Sequence, residues 1–210
     1  GYIWGDALEE LARAAPGARI VNLETAVTRS NDWQPKGINY RMHPDNVGCL
    51  AAAGIDCCVL ANNHVLDWGR AGLAETVTTL GAARIATAGA GRDRAAAQAP
   101  AVLPLAGGGR VLVFALATTS SGVPEAWAAG AARPGVALLD SPGAQAAAPL
   151  GARVAAAERP GDLVVVSIHW GGNWGYRIPE AHIEFAHALI DHAGVDLVHG
   201  HSSHHALAAE

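Results

Sequence analysis

Apolar residues along the chain fall into short blocks of two kinds, one at helical spacing and one continuous and strand-like. Most of the strand-like blocks stop abruptly in polar residues. Leu8 and Leu11 lie at helical spacing in the stretch from Asp6 to Ala15, which ends at Pro16 and Gly17. A short helix is therefore expected to lead into a strand over Arg19 to Leu23. Gly5 and Asp6 read as the start of that helix. Ser30 to Met42 has no apolar period and is rich in Asn, Pro, Gly and aromatic residues, the mark of a long surface loop of the kind that often helps to form a site. Pro44 to Ala53 reads as a helix ended by Gly54, and the apolar run Cys57 to Leu60 reads as a central strand.

After Gly69 the pattern predicts a helix to Leu80 that stops at Gly81, then a short strand and glycine turn over Arg84 to Gly91. Ala101 to Leu105 and Val111 to Ala117 are two β runs separated by Gly107, Gly108 and Gly109, so they predict a hairpin and hence a mixed sheet. Ser120 to Arg159 turns to Ala, Pro and Gly, with one helix expected over Ala144 to Glu158. Leu163 to Ile168 reads as a buried strand. The helix expected over Pro179 to Ala193 has Pro179 in its first turn, Gly194 as its stop, and an apolar stripe through Ile183, Ala186, Leu189, Ile190 and Ala193. At 100° per residue His182 falls between Leu189 and Ala193 on that stripe, which predicts a desolvated, neutral imidazole. The last strand is expected over Val195 to Val198.

A chain of 210 residues can bury one sizeable core, and one domain over 1–210 is the natural count. Aromatic residues make up only 5% while Ala and Gly are abundant, which suits close helix-on-sheet packing. The formal charge of −5 offers no electrostatic footprint for nucleic acid. No run approaches the ~20 apolar residues that span a bilayer, and the N-terminus lacks the order of a signal segment, so a cytoplasmic chain without a membrane span is expected. Cys49, Cys57 and Cys58 lack metal-ligand spacing and read as core residues in a reducing compartment.

Candidate chemistry gathers where strands end. The run CCVLANNHVLDWG places Asn62, Asn63, His64 and Asp67 just beyond the Cys57 strand, where open α/β sheets hold ligands. The plainer alternative is that the Asn pair caps the next helix and His64 only packs locally. Glu24 follows the first strand, His169 the strand at 163–168, and His199, His201, His204 and His205 the last. Carboxylate, carboxamide and imidazole donors at one edge suit a divalent Zn, Mn or Fe ion. Trp33, Trp170 and Trp174 fall on loops after Glu24 and His169, and with Asn62 they are candidates for a substrate rim. Packing of those loops is the alternative.

The segments VNLET at 21–25, LANNHVLDWG at 60–69, AGAG at 88–91, SIHWGGNW at 167–174 and LIDHAGVDLVHGHSSHH at 189–205 together resemble the capsule-synthesis CapA family, also called poly-γ-glutamate synthesis proteins. That family's domain is similar to a calcineurin-type metallophosphatase. The resemblance implies an α/β fold of two mixed β-sheets packed as a sandwich and flanked by helices in four layers. It implies a pair of divalent metal ions held by Glu24, Asn63, His169, His201 and His204, with His64 acting on the leaving group or phosphate and Asp67 orienting it. A metal-dependent hydrolase of phosphoesterase type is the activity it suggests, on a small-molecule or anionic polymer substrate. The rival is a polymer-assembly protein that holds an anionic polymer without turnover. The metallophosphatase pattern opens on a first metal-binding strand with no counterpart here, so a chain lacking its first strand and C-terminal end is expected. An N-terminal segment outside this chain would make the location extracellular and membrane-anchored instead. The sequence leaves oligomeric state open.

Overall fold

The computed structural model describes residues 2–210. Helix α1 (Ala7–Ala14) precedes strand β1 (Ile20–Asn22); β2 (Ala26–Val27) and β3 (Arg41–Met42) bracket the long loop; and α2 (Gly48–Ala52) leads into β4 (Cys57–Val59). The chain continues through α3 (Gly69–Ala82), β5 (Ala86–Ala88), β6 (Ala90–Gly91), α4 (Arg94–Gln98), β7 (Ala101–Pro104) and β8 (Arg110–Thr118). It finishes with β9 (Gly135–Val136), β10 (Leu138–Leu139), α5 (Ala147–Ala157), β11 (Leu163–His169), α6 (Glu180–His192) and β12 (Leu197–His201).

Two sheets carry the architecture. The smaller has the order β1-β4-β5 and is parallel throughout. The larger has the order β10-β8-β11-β12, all parallel, with β7 added antiparallel to the first part of β8. The mixed character thus resides in the larger sheet, in the hairpin that the three glycines close. Strand β8 shows how the layers form, because its side chains alternate between two cores. Val111, Val113, Ala115 and Ala117 face one core with Cys57, Val59, Leu73 and Leu80, whereas Leu112, Phe114 and Leu116 face another with Leu150, Val154, Phe185 and Leu189. The first core lies between the sheets and under α3; the second lies under α5 and α6. The result is an α/β sandwich flanked by helices.

Gly89 marks a close approach of the sheets. Its φ is +86°, and a Cβ there would lie 2.7 Å from the methyl carbons of both Ala61 and Ala115. Only a residue without a side chain fits that conformation and that gap.

The stretch expected as one helix over Pro44 to Ala53 is a 3-10 turn (Pro44–Asn46) followed by α2, and three further details of the helices depart from the sequence expectation. Helix α3 runs through Gly81 to Ala82 and is ended by Arg84, which takes a left-handed φ of 62° and bonds back to the Gly81 carbonyl. Pro179 is the N-cap of α6, in extended conformation, rather than part of its first turn. The buried face of α6 is His182, Phe185, Ala188 and Leu189, while Ile183 and Ile190 are 38% and 46% exposed. Phe185 packs fully buried against the outer face of the larger sheet, and seating that large ring turns the helix away from the Ile183 and Ile190 line.

Candidate functional site

Parallel pairing brings the chemistry to one edge. Strands β1 and β4 run side by side with Asn22 opposite Val59, so Glu24 and the turn at 61–67 leave the smaller sheet together. In the larger sheet Ser167 pairs with His199 and His169 with His201, which places four polar side chains on one face of β11 and β12. That face is shared with Val165, which packs into the core between the sheets. Strand β12 therefore extends beyond the predicted Val198 to His201, and two of the C-terminal histidines are strand residues rather than loop residues.

The turn after β4 is built by side-chain bonds. Asn62 is fully buried, donates to the Asn22 side chain at 3.1 Å and the Leu23 carbonyl at 2.9 Å, and accepts the His64 backbone N–H at 3.1 Å. Asn62 is thus a tie between the two strand ends and not a rim residue. Neither asparagine caps α3, whose N-cap is Trp68 with no side-chain bond. Asn22 also donates to Glu24 Oε2 at 3.0 Å and so fixes that carboxylate.

His64 and Asp67 form a tight pair, with His64 Nδ1 2.6 Å from Asp67 Oδ2. Asp67 is fully buried, and its Oδ2 also accepts the Tyr40 N–H at 2.7 Å while its Oδ1 accepts Lys36 Nζ at 2.7 Å. Lys36 further donates to the Asn63 carbonyl and lies 3.4 Å from His64 Nδ1. Tyr40 places its ring 4.2 Å from the His64 ring. Lys36, Tyr40 and Asn22 were not singled out by the sequence reading. One signal was available for Lys36: it is the only lysine in the chain, every other basic residue of that charge class being arginine.

His169 is the centre of the second group. Its Nε2 lies 3.2 Å from Asn63 Oδ1 and 3.7 Å from Glu24 Oε1, so donors from both sheets converge on it. Two donors bound to one zinc at about 2.0–2.2 Å in tetrahedral geometry stand roughly 3.4 Å apart, and the observed pair of distances brackets that value. Glu24, Asn63 and His169 therefore fit a divalent cation in donor type, and the spacing of His169 to each of the other two fits as well. Among the described residues no three His, Cys, Asp or Glu side chains are gathered as a metal-holding group; the convergent trio includes a carboxamide. His201 is placed differently from the other proposed ligands. Its Nδ1 lies 2.8 Å from His169 Nδ1 and its Nε2 lies 3.0 Å from Ser167 Oγ, so both nitrogens face protein partners. His204 is exposed beside the cluster, with its backbone N–H on the Asn173 carbonyl, near enough to Glu24 and His169 to act on both electrostatically.

Burial sets the charge states. It raises the Glu24 carboxyl above the ordinary range, against the opposing pull of His64, Asn22, His204 and Lys36. Burial, helped by His64 and His204, lowers His169 to about 4. Burial, helped by His169 and His199, lowers His201 to about 2, so both central imidazoles are neutral at pH 7.

The indoles divide. Trp170 is half-buried and stacks on His182 at 4.3 Å with rings nearly parallel, which makes it a packing residue of the loop rather than a rim residue. Trp174 is 73% exposed and flanks His204 and His205, and Tyr176 joins them over His205. Trp33 is exposed, and among the described residues no ring or polar side-chain contact ties it to the cluster. Cys57 and Cys58 are buried strand residues, with thiols pushed up to about 12.

The fold and site together define a two-sheet α/β sandwich that delivers Glu, Asn and His side chains from both sheets to one strand-end edge. The chain belongs to the bacterial capsule synthesis protein PGA_cap family, whose family model matches residues 1–210. It is 48% identical over 204 residues, 96% of the chain, to a probable polyglutamine synthesis accessory protein of Mycobacterium tuberculosis (strain CDC 1551), of which the match covers 53%. It is 29% identical over 175 residues, 80% of the chain, to the capsule biosynthesis protein CapA of Bacillus anthracis, of which the match covers 39%. The PGA biosynthesis protein CapA of Bacillus subtilis is 25% identical over 185 residues, 87% of the chain and 46% of that protein. The chain thus spans about half the length of the curated relatives it matches, or less. No helix among the described residues is long and apolar enough to cross a membrane.

Proposed function

We propose that the strand-end cluster holds divalent metal and that the chain is a metal-dependent hydrolase of the phosphoesterase type, working in capsule or poly-γ-glutamate synthesis. The observation that carries this reading is the placement of the Glu24, Asn63 and His169 donors beside a histidine whose Nδ1 is held by a buried carboxylate. Glu24, Asn63 and His169 would hold a cation, with His204 at hand beside the cluster. A bound divalent cation supplies charge that polarises the scissile group and stabilises the developing negative charge.

The chain's own residues supply the proton. Asp67 accepts from His64 Nδ1, which directs His64 Nε2 away from the carboxylate and fixes the ring for donation to a leaving oxygen. Lys36 on Oδ1 and the Tyr40 N–H on Oδ2 hold Asp67 in place. Trp174 beside His204 and Tyr176 beside His205 offer exposed aromatic faces suited to contact with a substrate.

Metal content of the purified chain, followed by assay with an aryl phosphate and a γ-glutamyl peptide, tests this. The expected result is bound metal that falls in His169→Ala and Glu24→Ala but not in His192→Ala, an exposed residue at the end of α6, with turnover that falls in His64→Ala. A metal-free chain without turnover defeats the reading. A second reading, an anionic-polymer-binding role without turnover, is favoured by the word "accessory" in the name of the mycobacterial relative. Bound metal and polymer binding with no hydrolysis of either substrate would decide for it.

A further inference from the structure

Behind His169 a row of polar side chains continues along the buried face of β11 and β12. His169 Nδ1 meets His201 Nδ1 at 2.8 Å, His201 Nε2 meets Ser167 Oγ at 3.0 Å, and Ser167 Oγ meets His199 Nδ1 at 3.0 Å. Ser167 is fully buried, and His169 is 1% exposed. The His169 and His201 ring centroids are 4.9 Å apart. With nitrogens 2.8 Å apart, rings reach that separation only when the two nitrogens point nearly straight at each other. Lone pairs aimed at a common ion off that line would bring the centroids closer. The contact is therefore a direct N–H···N hydrogen bond, and one imidazole must donate while the other accepts.

The ends of the row fix its direction. Without a cation, His169 Nε2 faces two acceptors, Asn63 Oδ1 and Glu24 Oε1, and so carries the proton. His169 Nδ1 then accepts from His201, His201 Nε2 accepts from Ser167, and Ser167 accepts from His199 Nδ1–H. A cation at His169 Nε2 needs a lone pair there. Its proton must sit on Nδ1, and every bond behind it must then run the other way.

We propose that His201, Ser167 and His199 are a positioning chain for His169, and that cation binding at His169 Nε2 reverses the direction of all three hydrogen bonds. The proposal rests on the metal reading above and reassigns His201 from ligand to support. Protons balance throughout. His169 moves from the Nε2–H to the Nδ1–H tautomer, and His201 and His199 each move from Nδ1–H to Nε2–H. The Ser167 hydroxyl turns from His201 to His199, and no group gains or loses charge. The parallel register of β11 and β12 holds the ring that meets the ion, and a half-buried histidine one pair further back reports its arrival.

Nitrogen-15 NMR of histidine side chains in the intact chain, with and without zinc, tests this by reading which nitrogen of each ring is protonated. The expected result is a tautomer change at His169, His201 and His199 together, saturating at one zinc concentration. In Ser167→Ala, which removes one hydroxyl, zinc affinity should fall roughly 10-fold or more, the range seen when a ligand's hydrogen-bond partner is lost, and His199 should no longer respond. Zinc binding with unchanged His199 and His201 tautomers, or with zinc directly on His201, overturns the proposal and leaves the metal site standing. Failure of zinc to bind at all overturns both.

Discussion

At the scale of single residues, Asp67 draws the loop to the site. It is a buried carboxylate whose donors come from two segments far apart in sequence: Lys36 and the Tyr40 N–H from the long loop, and His64 from its own turn. Lys36→Met removes the ammonium and leaves a buried acceptor short of a donor, which costs about 1–3 kcal/mol. Denaturant unfolding should show that loss, and Lys36→Arg should recover part of it because it keeps the charge. A reading built on strand ends could not place Lys36, since it reaches Asp67 only when the loop folds back. His182 was legible because helical spacing put it on a buried face, and it is buried against Trp170. Burial lowers its pKa below 6.5. The unfolded chain therefore takes up a proton first, so this contribution to stability is complete above about 6.5 and declines as pH falls toward the folded value. NMR titration should give a His182 midpoint below 6.5, and His182→Asn should lower stability without changing metal content.

At the scale of elements, the long apolar runs were legible and the short ladders were not. The strands at 57–59, 110–118 and 163–169 each follow from a predominantly apolar block, and the three-glycine turn gave the β7–β8 hairpin. Strands β2, β3, β6, β9 and β10 have two residues each, too few to show any period, and they exist because distant segments are brought alongside one another. Helix α6 buries His182, Leu189 and Ala193 as the spacing predicts but turns Ile183 and Ile190 outward, a choice the pattern does not make because both isoleucines carry as much hydrophobicity as the residues that are buried. Which line turns inward was decided by the fit of Phe185. Close approach of the sheets gives a prediction here. Gly89→Ala would add a methyl between Ala61 and Ala115 at a positive φ, and it should destabilise by about 1–3 kcal/mol, measured as a lower midpoint in denaturant.

At the scale of the whole molecule, the site joins the two sheets: Glu24 and Asn63 come from the smaller, His169 from the larger. A ligand bound there ties the halves of the sandwich together and should stabilise the fold as a unit. On the proposed function, metal at 100 times its Kd adds about 2.7 kcal/mol, so a chelator should lower Tm and added zinc or manganese should restore it. A Tm indifferent to both would count against a metal bridging the sheets. The sequence carried the donor types at this edge but not which imidazole faces the donors, since that depends on the register of β11 against β12. Lys36 has a practical consequence for anyone handling the protein. As the only lysine it is the sole side-chain amine within the chain, and its ammonium is already seated on Asp67 and the Asn63 carbonyl. Reductive methylation, amine-directed cross-linking or coupling to an activated resin at a side chain of this chain would thus be aimed at the strand-end cluster itself, and whatever occupies that cluster should slow such labelling.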